Sequence, residues 1–250
     1  MTMLNLTIIY RSCDKVDCFS GQPRMKPKQE VIKRCFKSLI TSLYNQDSTK
    51  VNEKLIIVDD SSSKETREFL SNTVEGKIKS NIILHENLGN SGSLKQCYNE
   101  ADKLPDDHLI FFVEDDYLFD QDCIGEMLYL YQKTGPNSRY ILHPVDYPDR
   151  YRDIYECQII LGRTRHWRTI KHTTGTFMVP KKVFAEYRDY YEKFTEYGVT
   201  PGINEDNSIN LVYSEVPCLS PLPSLAHHFQ YESTLSHFLD WKELWEENKC

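Results

Sequence analysis

A doubly wound α/β sheet is the fold class this sequence predicts, and three observations predict it. Short apolar runs rich in Ile, Val, Leu and Phe alternate with amphipathic stretches over residues 1–119, the pattern of strands buried on both faces and joined by helices. Each intervening stretch is long enough to hold a crossover helix between parallel strands. Two runs, KLIIV at 54–58 and LIFFV at 109–113, stop in carboxylates: Asp59 and Asp60 after the first, Glu114, Asp115 and Asp116 after the second. Charge is thereby delivered to the carboxyl edge of the sheet, where open α/β sheets bind ligands.

Taken in order, residues 5–11 (NLTIIYR) are the first strand, and the polar stretch 12–27, with two prolines, is expected to loop over one end of the sheet. Val31, Ile32, Cys35, Phe36, Leu39, Ile40 and Leu43 recur at helical spacing and predict an amphipathic helix over 28–45. The second strand (54–58), a short helix (64–73) and a third strand (81–85) follow. In ENLGNSGSLKQCYNEA (86–101), Gly89 and Gly92 loosen the backbone before a helix over 93–103. The central strand and its acids, LIFFVEDDYLF, occupy 109–119, with a helix over 120–133 behind them.

Beyond that point the pattern is less regular. Short strands are expected at 140–143, 156–161 and 176–179, with a polar aromatic loop, HPVDYPDRYRD, between the first two. Helices are expected over 181–194 and 205–213, and an extended loop with three prolines over 214–224. A C-terminal amphipathic helix over 233–248 carries Leu235, Phe238, Leu239, Trp241, Leu244 and Trp245. Its apolar face is expected to pack on the body, with a partner or a peripheral membrane contact as the alternative.

With 250 residues and 40% hydrophobic content, a single domain is expected. It divides into a ligand-binding half (1–119), a second half (120–232) and the terminal helix (233–250). A net charge of -7 argues against nucleic acid as a partner, because nonspecific binding needs a basic footprint. No run approaches the ~18 apolar residues of a membrane span, and the N-terminal run reads as a strand without a basic leader, so a cytoplasmic, at most membrane-peripheral, location is expected. The eight cysteines are scattered and read as reduced thiols. Cys13 and Cys18 are the one close pair, and no second pair accompanies them to complete a zinc site.

Three adjacent carboxylates in a dry place repel one another and raise each other's pKa, a situation that a hard divalent cation relieves. An acidic turn capping the next helix is the plainer explanation. Further motifs bear on the choice: FKSLITSLYNQDSTKVNEKLIIVDDSSS (36–63), ENLGNSGSLKQCYNEA, FFVEDD, GTFMVP (175–180) and NED (204–206). In this order they resemble the family 2 glycosyltransferases of GT-A fold, over roughly residues 5–230. The resemblance implies a Rossmann-like, mixed but mainly parallel sheet flanked by helices, and transfer of a single sugar from a nucleotide-diphosphate-sugar donor to a hydroxyl of a glycan, lipid-linked or protein acceptor.

The resemblance also implies roles. Asp59 hydrogen-bonds the base or ribose, the first strand near Tyr10 and Arg11 lines the same pocket, and Asn87, Gly89, Ser93 and Lys95 lie beside the nucleoside. The D-x-D metal motif falls on Glu114, Asp115 and Asp116, with Asp116 the direct ligand of Mn2+ or Mg2+, and Glu standing where the family usually has Asp. Glu205 and Asp206 match the late E-D pair, Asp206 being the general base of an inverting transfer. His228, or its neighbour His227, matches a histidine on the metal or diphosphate. Gly175 and Thr176 fall on the acceptor side; Trp167, Tyr147 and Tyr151 are aromatic rings that suit a sugar face. The basic stretch GRTRHWRTIKH (162–172) could meet a diphosphate or simply form a solvated hairpin.

The residue types suit that chemistry. A leaving diphosphate gains negative charge that a cation stabilises, and an acceptor hydroxyl must lose its proton to a positioned carboxylate. The Q-x-x-R-W signature of processive synthases is missing, which favours single transfer. A signalling receiver domain fails because its acid pair ends the first strand, and a sugar nucleotidyltransferase fails because the first strand runs into RSCDKVDC without a Gly-rich phosphate loop. A catalytically degenerate carbohydrate-binding or scaffold module remains as the non-enzyme alternative.

Overall fold

The computed structural model describes residues 3–15, 25–46, 51–135, 137–154, 156–173 and 175–250. Cys18 and most of the loop expected over 12–27 lie outside them. The first half alternates as the hydrophobic pattern requires: β1 (Leu4–Ser12), α1 (Lys28–Tyr44), β2 (Val51–Asp60), α2 (Lys64–Val74), β3 (Ser80–His85), α3 (Gly89–Asp102) and β4 (His108–Glu114). β3, β2, β1 and β4 lie side by side in that order, all parallel. Successive strand residues enter different cores, as the two-residue period demands. Leu6, Ile8, Tyr10, Phe111 and Val113 pack with α1, α2 and α4 (Cys123–Thr134), whereas Ile9, Ile110 and Phe112 pack with α3 and the later helices.

The second half extends this sheet in mixed fashion. β9 (Phe177–Pro180) runs antiparallel beside β4, followed by β6 (Ile141–Leu142), β10 (Cys218–Leu222), β8 (His166–Ile170) and β7 (Ile159–Leu161) at the edge. A separate pair joins β5 (Tyr117–Phe119) to β11 (Ala226–His228).

Three expectations change here, and the hairpin given as an alternative for the basic stretch forms. The stretch 214–224 contains a strand, β10, despite its prolines: β6 pairs only with Cys218 and Leu219, so Pro221 needs no N–H on that side. The basic stretch supplies β8, the inner strand of a hairpin with β7. The helix over 181–194 is divided at Tyr187 into α5 (Lys181–Glu186) and α6 (Arg188–Phe194). The helix expected from 205 begins only at Ile209 (α7, Ile209–Glu215), because the side chains of Asn204 and Asn207 each accept the other's backbone N–H, at 2.9 and 3.1 Å, and hold a turn instead.

The terminal helix is also shorter, α8 (Trp241–Glu247), with Asp240 capping the N–H groups of Lys242 and Glu243. Its apolar face is internal. Trp245 stacks on Phe229 at 4.5 Å, and Arg34 of α1 lies over the Trp245 ring while donating to its carbonyl at 2.6 Å. Leu244 and Trp245 are buried with Val31 and Leu118, so this face packs on the body, the arrangement expected of it, and is not left open for a partner or membrane. Among the described residues no helix is long and apolar enough to cross a membrane.

Candidate active site

Parallel pairing brings the strand ends into one row. Ser12 stands opposite Asp59, Arg11 opposite Glu114, and Asp60 opposite His85. The candidate site is assembled along this edge, roofed by residues from the second half.

The first acid pair divides its work. Asp60 accepts the N–H groups of Leu88 and Gly89 at 3.0 and 2.8 Å, and Ser61 Oγ accepts that of Asn87 at 2.8 Å. These bonds hold the turn before α3, where Asn87 and Gly89 both have positive φ, 59° and 69°. Asp59 is fully buried; its Oδ1 takes Arg67 Nε at 2.7 Å and Ser62 N–H at 3.2 Å, while Oδ2 has no protein partner among the described residues. A buried carboxylate oxygen without a donor is an acceptor waiting for an N–H or O–H.

The second cluster is divided three ways. Glu114 is ion-paired with Arg11, whose other nitrogen donates to Asn90, and the Glu114 N–H bonds Thr176 Oγ1 at 3.0 Å. Asp115 is ion-paired with Lys28 at the start of α1 and accepts the Cys13 N–H at 2.9 Å. Burial nonetheless outweighs the Lys28 cation, and with Asp116 adding its negative charge the Asp115 carboxyl is held above its usual value. Asp116 Oδ1 faces His228 Nε2 at 3.5 Å. Two of the three acids therefore have a protein cation of their own, and the third has a histidine.

Strand alternation separates the two histidines. On β11, His228 stands opposite Tyr117 and next to Asp116, whereas His227 turns inward opposite Leu118. His227 is buried, its pKa pushed down to about 4 by burial, and its Nδ1 accepts the Ser236 N–H at 3.1 Å. His228 stacks on Tyr117 at 4.6 Å, and its Nδ1 lies 3.1 Å from the Tyr147 hydroxyl.

Several expected contacts are placed elsewhere. Trp167 is fully buried within the core and presents no face to a sugar. The Tyr10 side chain is equally buried, packed on Phe36 at 4.8 Å, which leaves the role expected of the first strand to its backbone. Lys95 is ion-paired with Glu192 of α6, and the Ser93 hydroxyl bonds back to the Gly89 carbonyl at 2.7 Å within the first turn of α3. Thr176 is buried, and Gly175 lies so close to Glu114 that a Cβ there would collide with Oε2, so both position Glu114. In the basic stretch, Arg163 pairs with Glu126 and Arg168 with Asp146 at 2.6 Å.

Glu205 and Asp206 sit on the Asn204–Asn207 turn. Asp206 is exposed and accepts Asn210 Nδ2 at 3.0 Å; that nitrogen also lies 3.1 Å from His172 Nδ1. Glu205 is half-buried, and its carboxyl is raised above the ordinary value by burial first and by Asp206 second, against a lowering by His172. Sequence reasoning gave no role to Lys28, His143 or Tyr117. No local pattern marks them, since each enters through a residue distant in the chain. His143 is buried with Nδ1 at 2.7 Å from the Thr176 carbonyl.

A parallel half-sheet with acids along its carboxyl edge, continued sideways by mixed strands and joined by a separate antiparallel pair beside those acids, is the GT-A fold. The glycosyl transferase family 2 model matches residues 26–190, well over half of the chain, and the protein belongs to that family. The match ends before Glu205. Among solved structures, TarS 1-349 of S. aureus is similar over 87% of this chain and 58% of its own, with 15% identity and a TM-score of 0.55. GalNAc-T7 with UDP, GalNAc and Mn2+ is similar over 93% of this chain and 45% of its own, with 10% identity and a TM-score of 0.57. At these identities the likeness shows the fold, and the chain spans about half the length of those structures. No curated protein matches the sequence.

Proposed function

We propose that this protein transfers a single sugar from a nucleotide-diphosphate-sugar donor to a hydroxyl group of a glycan, lipid-linked or protein acceptor, with inversion and with the help of Mn2+ or Mg2+. The observation that carries the reading is Asp116 Oδ1 within 3.5 Å of His228 Nε2 at the carboxyl edge of a family 2 sheet. An oxygen and a nitrogen at that separation suit neighbouring positions around one small cation, whose ligands at ~2.1 Å lie roughly 3 Å apart. GalNAc-T7, similar in fold, was solved with UDP and Mn2+, in keeping with this assignment. Asp116 and His228 would hold the cation, which when bound supplies charge stabilisation at the departing diphosphate.

The chain's own residues do the rest. Asp59 Oδ2 accepts a donor group of the base or ribose. Arg11 and Lys28 balance Glu114 and Asp115, so that the polyanionic donor does not meet three uncompensated carboxylates. The acceptor oxygen attacks the anomeric carbon, the bond to the diphosphate oxygen breaks, and the acceptor proton passes to the exposed carboxylate of Asp206, held by Asn210. Attack from the face opposite the leaving group inverts the centre. One observation favours Glu205 as the base instead: its raised pKa lies closer to the working range of a general base.

The test is thermal unfolding with UDP, GDP, dTDP or CDP, each with and without Mn2+, on wild type, Asp116→Ala and His228→Ala. Nucleotide at ~100 times its dissociation constant adds about 2.7 kcal/mol. We expect a rise with one nucleotide that depends on Mn2+ and is lost in both variants. No rise with any nucleotide would overturn the reading; a rise without turnover on any acceptor would support the degenerate module.

A further inference from the structure

His228 is held between two different partners, and a third stands behind one of them. Nε2 faces Asp116 Oδ1, Nδ1 lies 3.1 Å from the Tyr147 hydroxyl, and that hydroxyl lies 3.1 Å from the hydroxyl of Tyr117. The Tyr117 ring, fully buried, stacks on the imidazole with 12° between the planes, so the imidazole has little freedom to turn away. Tyr147 is itself backed by His143, with ring centroids 5.5 Å apart.

A row of two phenols and a neutral imidazole can order its hydrogens in two directions. In one, Tyr117 donates to Tyr147, Tyr147 donates to Nδ1, and the ring proton sits on Nε2, pointing at Asp116. In the other, Nδ1 carries the proton and donates to Tyr147, Tyr147 donates to Tyr117, and Nε2 presents a lone pair. Only the second lets His228 ligate a cation beside Asp116, because a ligating imidazole needs a bare nitrogen on one side and an acceptor for its N–H on the other. A phenol, both donor and acceptor, serves either direction without moving.

We propose that Tyr147 is a positioning residue, backed by Tyr117, that lets His228 change tautomer in place: the proton lies on Nε2 toward Asp116 in the metal-free protein and on Nδ1 toward Tyr147 when a divalent cation is bound. The proposal rests on the reading of Asp116 and His228 as cation ligands. The Tyr147 contribution is then to metal affinity and ring tautomer, with no contact to the reacting atoms.

Two measurements on the full chain test it. Long-range 15N–1H correlation of the His228 ring reads the tautomer with and without Mg2+. Electron paramagnetic resonance titration with Mn2+ alone reads affinity in wild type, Tyr147→Phe, Tyr117→Phe and His228→Gln. In wild type the proton is expected to move from Nε2 to Nδ1 on adding Mg2+. Tyr147→Phe is expected to weaken Mn2+ binding by about 10–100-fold, in the range of other groups that orient metal-bound histidines. Tyr117→Phe, which keeps the bond to Nδ1, should lose less.

Loss of Mn2+ affinity in His228→Gln with none in Tyr147→Phe would overturn the proposal while leaving the metal site standing. Equal affinity in wild type and His228→Gln would overturn the metal site, and the proposal with it. Should Tyr147→Phe fail to fold, a wild-type ring whose tautomer does not respond to Mg2+ is sufficient to overturn the proposal.

Discussion

Burial and a like charge hold the Glu205 carboxyl above its ordinary value, so keeping it ionised costs the fold free energy. Its contribution to stability is therefore full below the unfolded-state value of about 4.3 and is lost as pH rises through the higher folded value. Glu205→Gln should accordingly leave the melting temperature at pH 7 unchanged or raised, measured by calorimetry at several pH values. If Asp206 is the base, Asp206→Asn should lower kcat by at least ~100-fold, a typical general-base contribution, with nucleotide binding intact, and Glu205→Gln should remain active. The reverse outcome would assign the base to Glu205, with the acid limb of the rate profile above the ordinary glutamate range. Gly175 offers a second residue-scale prediction. Its φ of 72° and the closeness of Glu114 Oε2 mean that Gly175→Ala strains the backbone by ~1–2 kcal/mol and drives Glu114 off Arg11. Metal-dependent nucleotide binding in the thermal assay should fall while far-UV circular dichroism stays native.

Among elements, β11 and α8 show how the last part of the chain acts on the first. β11 carries His228 to Asp116 by pairing with β5, and α8 fastens that segment by packing Leu244 and Trp245 against α1, β5 and Phe229. Trp245→Ala removes a buried indole that also carries Arg34, and should cost about 3–5 kcal/mol; chemical denaturation measures it. The same substitution should weaken Mn2+ binding more than nucleotide binding without metal, because His228 belongs to the segment that loosens. The broken helix before α7 follows from local competition: the asparagine pair captures backbone N–H groups that a helix would use and displays Glu205 and Asp206 on a turn.

Across the whole molecule, one sheet, nine-stranded among the described residues, runs through both halves, with β4 of the first pairing directly to β9 of the second. A single cooperative unit is the expected consequence. The three tryptophans lie beyond residue 119, Trp167 on β8 and Trp241 and Trp245 on α8, and Trp245 packs on α1, so their fluorescence reports on the second half, the terminal helix and its contact with α1, whereas far-UV circular dichroism reports on the whole chain. Urea unfolding followed by the two signals should give coincident transitions; separated transitions would divide the chain into independent parts.

The parallel half was legible because its strands are buried on both faces and its helices on one, so apolar periodicity states each element, and acids closing two strands mark the candidate site. The family resemblance, carried by short motifs, pointed correctly to family 2 and to the GT-A fold. The short strands β5, β8, β10 and β11 were not legible, since three to five residues carry too little periodicity and their stability comes from partners far along the chain. Nor did residue type reveal that Trp167 and Tyr10 are core, that Lys95 is taken by Glu192, or that Asp115 belongs to Lys28. Sequence by itself determined the fold class, the acidic edge and the candidate ligands. Tertiary structure alone decided which carboxylate meets which cation, because a charge's partner is set by distance in space and not by position along the chain.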